Sequence, residues 1–345
     1  MENHVIRIAC ALIIMFLVIA ALYLADVVFE PVAFALFAIS IVWPLQRALQ
    51  TRMPRGLALI GTLLVTLVTV ITLASMVAWG GGQIAEWLSL NFDRLHSLYV
   101  AGTKWLEERD IFVAAMVTER FDIVWLLRVF QEIATRVRSL IGFSLLVFIF
   151  IAMGLLEVEA FTKNLQFLGN RTQGERLMAA GAKIGKKLRR YMLVRTLAST
   201  LTGVLVWSLS LVVGLELAAA WGIISFALNY IPFIGPLIAT ILPALFAFIQ
   251  TGSWEMPAIV LTALTLIQFL IGSYLEPLFT AKTLAISSFV VVFAVFFWGF
   301  IWGLPGTFIG VPIVIACLTI CEQFPSSRWI AALLSGQAPD KELGG

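Results

Sequence analysis

Between Glu216 and Glu255 the chain carries no charged residue, and between Lys282 and Glu322 it again carries none. Each run is close to forty residues long. As a single helix at 1.5 Å per residue, either would extend about 60 Å, twice the roughly 30 Å of bilayer hydrocarbon. Each run must therefore fold back on itself. The places where it can do so are "NYIPFIGP" at 229–236 and "WGLPG" at 302–306.

The chemistry of the two breaks is explicit. Pro232, Pro236 and Pro305 lack an N–H and disfavour helix at the residue before them, and Gly235, Gly303 and Gly306 let the backbone turn sharply. Exposed peptide groups cannot face lipid, so such breaks are buried in protein or line a wet cavity. A pair of interrupted apolar segments in the later half of a membrane protein points to the solute site of a secondary transporter. Re-entrant hairpins are the expectation; ordinary hairpins joining two complete tilted spans are the alternative. Asn229 favours the first, because a lone amide in so apolar a helix needs a partner.

Other polar groups in the apolar runs are few. Gln268 stands in mid-span. Glu276, in "SYLEPLF", reads as an interfacial helix-end carboxylate, a proton- or cation-coupling group, or a partner for Lys282. Gly299 with Gly303, and Gly306 with Gly310, have the small-xxx-small spacing that lets helices approach closely.

The rest of the chain agrees with a membrane class. Its 345 residues are 61% hydrophobic and 12% charged, where soluble domains average about 45–50% and 25%. This implies an all-α, polytopic integral membrane protein with about eight hydrophobic segments, two of them broken. Residues 1–79 hold the first three spans (5–25, 31–45 and 56–79), expected to act as a scaffold. Gly80-Gly81-Gly82 reads as a flexible joint. Residues 80–138 form a helical extracytoplasmic insertion, with apolar residues at helical spacing (Ile84, Trp87, Leu88, then Leu95, Leu98, Tyr99). A fourth span occupies 139–156 and a basic linker 157–194; the transport half is 195–325 and the tail 326–345. The loop with Arg47, Arg52 and Arg55 and the linker are both strongly basic. The positive-inside rule puts both in the cytoplasm, with both termini. The linker is expected to face anionic lipid rather than nucleic acid.

Several chemistries find no support. Cys10, Cys317 and Cys321 lie in apolar runs, and only His4 and His96 are present. No metal-ligand, nucleophile–base or paired-carboxylate constellation is visible, so neither an enzyme nor a cofactor is expected. "GAKIGKKLRR" lacks the phosphate-cradling pattern of an ATP-driven pump.

The segments "FALNYIPFIGP", "YLEPLF" and "FFWGFIWGLPGTFIGVPI", in that order, resemble the autoinducer-2 exporter family of bacterial membrane proteins. The likeness is strongest over 195–321, and over the insertion it is one of layout alone. The resemblance implies a secondary transporter that moves a small polar solute, autoinducer-2 in the best-known branch, outward across the inner membrane by alternating access. Other members are regarded as sodium(lithium)/proton antiporters, which is the alternative function. Homo-oligomers, pentamers among them, are also implied. The family motif falls on Asn229, Pro232, Gly235 and Pro236, on Glu276 and Pro277, and on Pro305, Gly306 and Pro312. The expected pathway residues are Asn229, Pro232, Gly235, Pro236, Gln268, Pro305 and Gly306, with Glu276 coupling to a proton or cation gradient. The two broken segments are expected to pack together and move against the scaffold. Backbone groups freed around Ile231 and Ile234 would then join Asn229 in binding solute.

Overall fold

The computed structural model describes residues 2–107, 123–166, 171–275 and 286–335. Every regular element among them is helical: α1 (Glu2–Leu24), α2 (Asp26–Gln50), α3 (Arg55–Leu90), α4 (Phe92–Glu107), α5 (Ile123–Gln166), α6 (Arg171–Val212), α7 (Ala218–Leu228), α8 (Ile234–Thr251), α9 (Glu255–Leu270), α10 (Ser288–Gln323) and α11 (Arg328–Leu334). A π-helical turn, Ile271–Leu275, continues α9. Helix is what lipid demands, since it pairs its own backbone groups. Among the described residues seven helices are long and apolar enough to cross a membrane, and residues 9–24 and α7 are shorter apolar helices. The chain is an all-α polytopic membrane protein.

One expectation needs correction. Gly80-Gly81-Gly82 is not a joint but three helical residues inside α3, which runs unbroken to Leu90. The reason is packing. A Cβ on Gly80 would lie 3.5 Å from the Ala220 carbonyl and from Ile224, so α3 passes close against α7 here. Contacts with α7 hold a segment that propensity alone would loosen.

The chain divides into two compact units. Unit 1 holds residues 1–66, 143–193 and 280–345. Its core gathers Ala35, Ile151 and Leu155, with Ile39, Trp43, Leu59 and Phe150 around them. At one end of this unit the basic segments are tied together. Arg55 pairs with Glu159, Lys187 with Glu322 at 2.8 Å, and the Arg189 guanidinium donates to the Ser40 carbonyl at 2.8 Å. The two basic loops, read as lying on one side, thus contact one another through Arg55 and Glu159.

Unit 2 holds residues 67–142 and 194–279. Its core is Val206, Leu215, Trp221, Ala244, Phe246, Ala247, Val260 and Leu264, and Ile84 and Trp87 of the amphipathic segment pack on it. Trp87 lies 4.3 Å from Phe246 between ring centroids, and its indole donates to Glu216. The Glu216 amide donates to Gln250 Oε1 at 2.9 Å, and Gln250 Nε2 donates to the Gly214 carbonyl at 3.0 Å. The two ends of the first uncharged run are therefore latched to each other.

Candidate functional site

The first run folds as an uneven hairpin. α7 has 11 residues and α8 has 18, about 17 Å and 27 Å of helix. Only the longer arm approaches the thickness of a bilayer. Pro232 ends the helical path after Asn229, which caps α7. Phe233 then takes φ 64°, ψ −53°, and the Ile234 amide donates to the Pro232 carbonyl at 2.7 Å. This is a γ-turn of the rare, strained hand, on a residue that has a Cβ. Two positions on, a Cβ at Gly235 would fall 1.8 Å from the Leu228 carbonyl oxygen. Gly235 is where the returning arm rests on the backbone of the outgoing one. Pro236 sits in the first turn of α8, where a missing N–H removes no helix bond.

The turn closes its own backbone. The Ile231 amide donates to the Leu228 carbonyl at 2.9 Å, and the Ile231 carbonyl accepts from Gly235 at 3.0 Å. With Ile234 also bonded, the free groups expected around Ile231 and Ile234 are occupied within the turn. Side chains, not the broken backbone, supply the polar capacity here.

Those side chains form a buried seam between α6 and α7. Along α6 the residues Arg195, Ser199, Thr202, Val206 and Ser210 recur at helical spacing and are all buried. Along α7 and its cap the matching stripe is Trp221, Ser225 and Asn229, again all buried. The helices touch where Gly203 and Gly222 meet: a Cβ on either would lie 2.9 Å or 2.8 Å from the other's carbonyl oxygen. Asn229 Nδ2 donates to Ser199 Oγ in a long bond of 3.4 Å, and the Tyr230 hydroxyl donates to Thr196 Oγ1 at 3.1 Å. That second bond sets the hairpin tip level with the residue following Arg195.

The Thr202 and Ser225 hydroxyls and the Trp221 indole N–H are buried without a protein partner. Elsewhere the helical hydroxyls bond back to their own helix, as do Thr62, Thr200, Thr240, Thr251 and Thr319. Thr202 and Ser225 do not, although both are fully buried. A buried polar group left without a hydrogen bond costs about 1–3 kcal/mol, so Thr202, Ser225 and Trp221 leave unmet hydrogen-bonding capacity on α6 and α7.

The structure brings Asn229, Pro232, Gly235 and Pro236 together in unit 2. Gln268 lies in the same unit on α9, its Nε2 buried without a partner. The π turn that follows is a kind of helix defect found often at functional sites. Glu276 and Pro277 fall outside the described residues. Pro305 and Gly306 belong to unit 1, in the second break, where Trp302 and Gly303 leave helical geometry and Gly303 takes φ 64°. A Cβ on Gly306 would lie 1.9 Å from the Trp298 carbonyl, and one on Gly310 2.8 Å from that of Ala294. The small-residue spacing at 306 and 310 thus serves close packing, whereas Gly303 has open space around it and makes the turn. The Trp302 indole donates to the Leu22 carbonyl at 2.9 Å, satisfying one of the orphan acceptors at the end of α1.

Thr196, Ser199, Thr202 and Ser225 were missed in the sequence. Their signal was present: small hydroxyls at a spacing of three in "TLASTLT", and a serine one turn before Asn229.

Fold and site together define a polytopic helical membrane protein with a polar seam buried between two of its helices, mostly neutral and with Arg195 at one end. It belongs to the AI-2E transporter family: the model described as "AI-2E family transporter" matches residues 12–326. The chain is 27% identical over 338 residues to the AI-2 transport protein TqsA of Escherichia coli (strain K12), covering 96% of each chain. It is 29% identical over 213 residues to a Borreliella burgdorferi protein provisionally named as a transport protein, 61% of this chain and 58% of that one. With YhhT of E. coli (strain K12), also provisionally named as a transport protein, the identity is 32% over 161 residues, 46% of each. The chain is a membrane transport protein.

Proposed function

We propose that the chain is a secondary transporter that exports a small, neutral, hydroxyl-bearing solute, with autoinducer-2 the leading candidate, and that the α6–α7 seam is where the solute is met. The carrying observation is the pair of fully buried, unpartnered hydroxyls of Thr202 and Ser225 beside Asn229. Neutral donors and acceptors at depth suit a solute that sheds water but carries no charge; the name of TqsA supplies the particular molecule. In this reading Arg195 closes the seam at one end, and Gln268 offers a further donor. Entry and exit alternate between the two faces of the bacterial inner membrane, with both termini cytoplasmic. A proton or cation gradient drives the cycle through Glu276. The basic linker rests on anionic lipid, and the working unit is a homo-oligomer, a pentamer being the expectation.

The test uses purified protein in liposomes containing a pH-sensitive dye, with labelled autoinducer-2 on one side. Flux that Thr202→Val and Ser225→Ala remove, with assembly intact, supports the reading. A pH change driven by sodium or lithium, without flux of the signal, would move the chain to the antiporter branch. Flux untouched by either substitution would take the site away from the seam.

A further inference from the structure

Beside the seam lies a second feature that solute transport does not use: an apolar cleft of about 300 Å³ between α3, α6 and α7. Its floor is the glycine contact of Gly203 and Gly222, and its walls are Met76, Val204, Trp207, Ile223 and Phe226. On both α6 and α7 these residues occupy the stripe next to the polar one. The one hydroxyl in the lining, Thr200, donates to the Thr196 carbonyl at 2.7 Å and so asks nothing of an occupant. The mouth is open: Met76, Val204 and Trp207 are 40%, 49% and 45% exposed.

We propose that this cleft seats one acyl chain of a membrane phospholipid. α3 and α6 are among the helices fit to cross a membrane, so the solvent at the mouth is hydrocarbon. The lining contains no charged side chain, and a polar ligand would gain nothing there. A helix of a second copy is about 10–12 Å across with its side chains, too wide to enter a notch made by two missing side chains. A slender methylene chain fits it. A tail in this position lies against the back of the residues that carry Ser199, Thr202 and Ser225. It wedges the α6–α7 crossing, where the two backbones have no side chains between them, and ties the rigidity of the seam to the lipid.

The experiment reconstitutes the full chain in vesicles of phosphatidylethanolamine and phosphatidylglycerol, a fraction of which carries a diazirine in mid-tail. After illumination, adducts are mapped by peptide mass spectrometry. Labelling of Met76, Trp207 and Phe226 several-fold above that of Leu211, an exposed residue further along α6, is the expected result. Val204→Trp, which fills the mouth, should lower it several-fold and leave Leu211 unchanged; Val204→Ala should preserve it. Even labelling along α6, or adducts that join two copies of the chain through the cleft, would overturn the proposal.

Discussion

The two broken runs follow one plan and are dressed differently. Each has a short arm and a long one: α7 against α8 in unit 2, and 288–301 against 304–323 in unit 1, the latter pair about 21 Å and 30 Å. Each turns on one residue with φ 64°, Phe233 or Gly303. Each then sets a glycine on the carbonyl of its short arm, Gly235 on Leu228 and Gly306 on Trp298. The surroundings diverge. The first hairpin meets Ser199 and Thr196; the second is bordered by aromatic rings, with Trp298 and Trp302 4.7 Å apart and Tyr23 stacked on Phe300. Its long-range polar ties, Trp302 to Leu22 at 2.9 Å and Glu322 to Lys187 at 2.8 Å, satisfy their partners. The shared features are therefore what an apolar run needs to reverse. Among the described residues only the first has unpaired buried hydroxyls, and the proposed solute site rests on them.

The glycines test the shared plan, with the largest effects. A methyl group at Gly235 or Gly306 must occupy the place of a backbone oxygen that cannot yield as a side-chain tip could. Gly235→Ala and Gly306→Ala should each cost about 3 kcal/mol or more, read as loss of monodisperse protein in detergent and a large fall in Tm. If either tolerates alanine, the likeness between the hairpins is superficial at that point.

The dressing is tested by pairing a substitution in each. Asn229→Ala should abolish transport while insertion and assembly persist, and loss of assembly would make Asn229 structural. Thr202→Val should reduce transport with Tm unchanged or slightly raised, because a buried hydroxyl without a partner is exchanged for a methyl of similar shape. Trp302→Phe should do the opposite. It removes the bond to Leu22 and lowers stability by about 1 kcal/mol, and flux per folded molecule should hold. A Trp302→Phe protein that folds normally and fails to transport would put function in the second hairpin as well.

The plan was legible in the sequence, and the dressing was not. Proline, glycine and the length of an uncharged run are local facts, and they located both breaks. The seam depends on which face of α6 meets α7, and that pairing joins residues about thirty positions apart. Serine and threonine in apolar helices ordinarily bond to their own backbone, so nothing local separates Thr202 from Thr200. Gly80–Gly82 failed for a related reason. A glycine triplet reads as a joint by itself, and only the packing of α3 on α7 beside Gly80 shows that the helix continues there.

The smallest effect, that of Phe233→Gly, concerns the turn residues themselves. Gly303 adopts its left-handed geometry freely, whereas Phe233 holds φ 64° against the clash of its own Cβ. That strain costs on the order of 1–2 kcal/mol. Phe233→Gly relieves it and gives back about 0.5–1 kcal/mol in chain entropy, for a net gain near or below 1 kcal/mol. Phe233 is 53% exposed, so little packing is lost. Gly303→Ala puts a Cβ at φ 64°, ψ −142°, close to a region that glycine alone occupies, and should lower stability by about 1–3 kcal/mol. The two Tm shifts should therefore have opposite signs. Transport separates the hairpins further: if the first binds solute as proposed, strain kept at its tip, where it is not needed for reversal, should serve the moving step. Phe233→Gly is then expected to be more stable and slower, and Gly303→Ala less stable at unchanged rate per folded molecule. A Phe233→Gly protein that gains stability at full rate would make the strain incidental and leave the two tips equivalent.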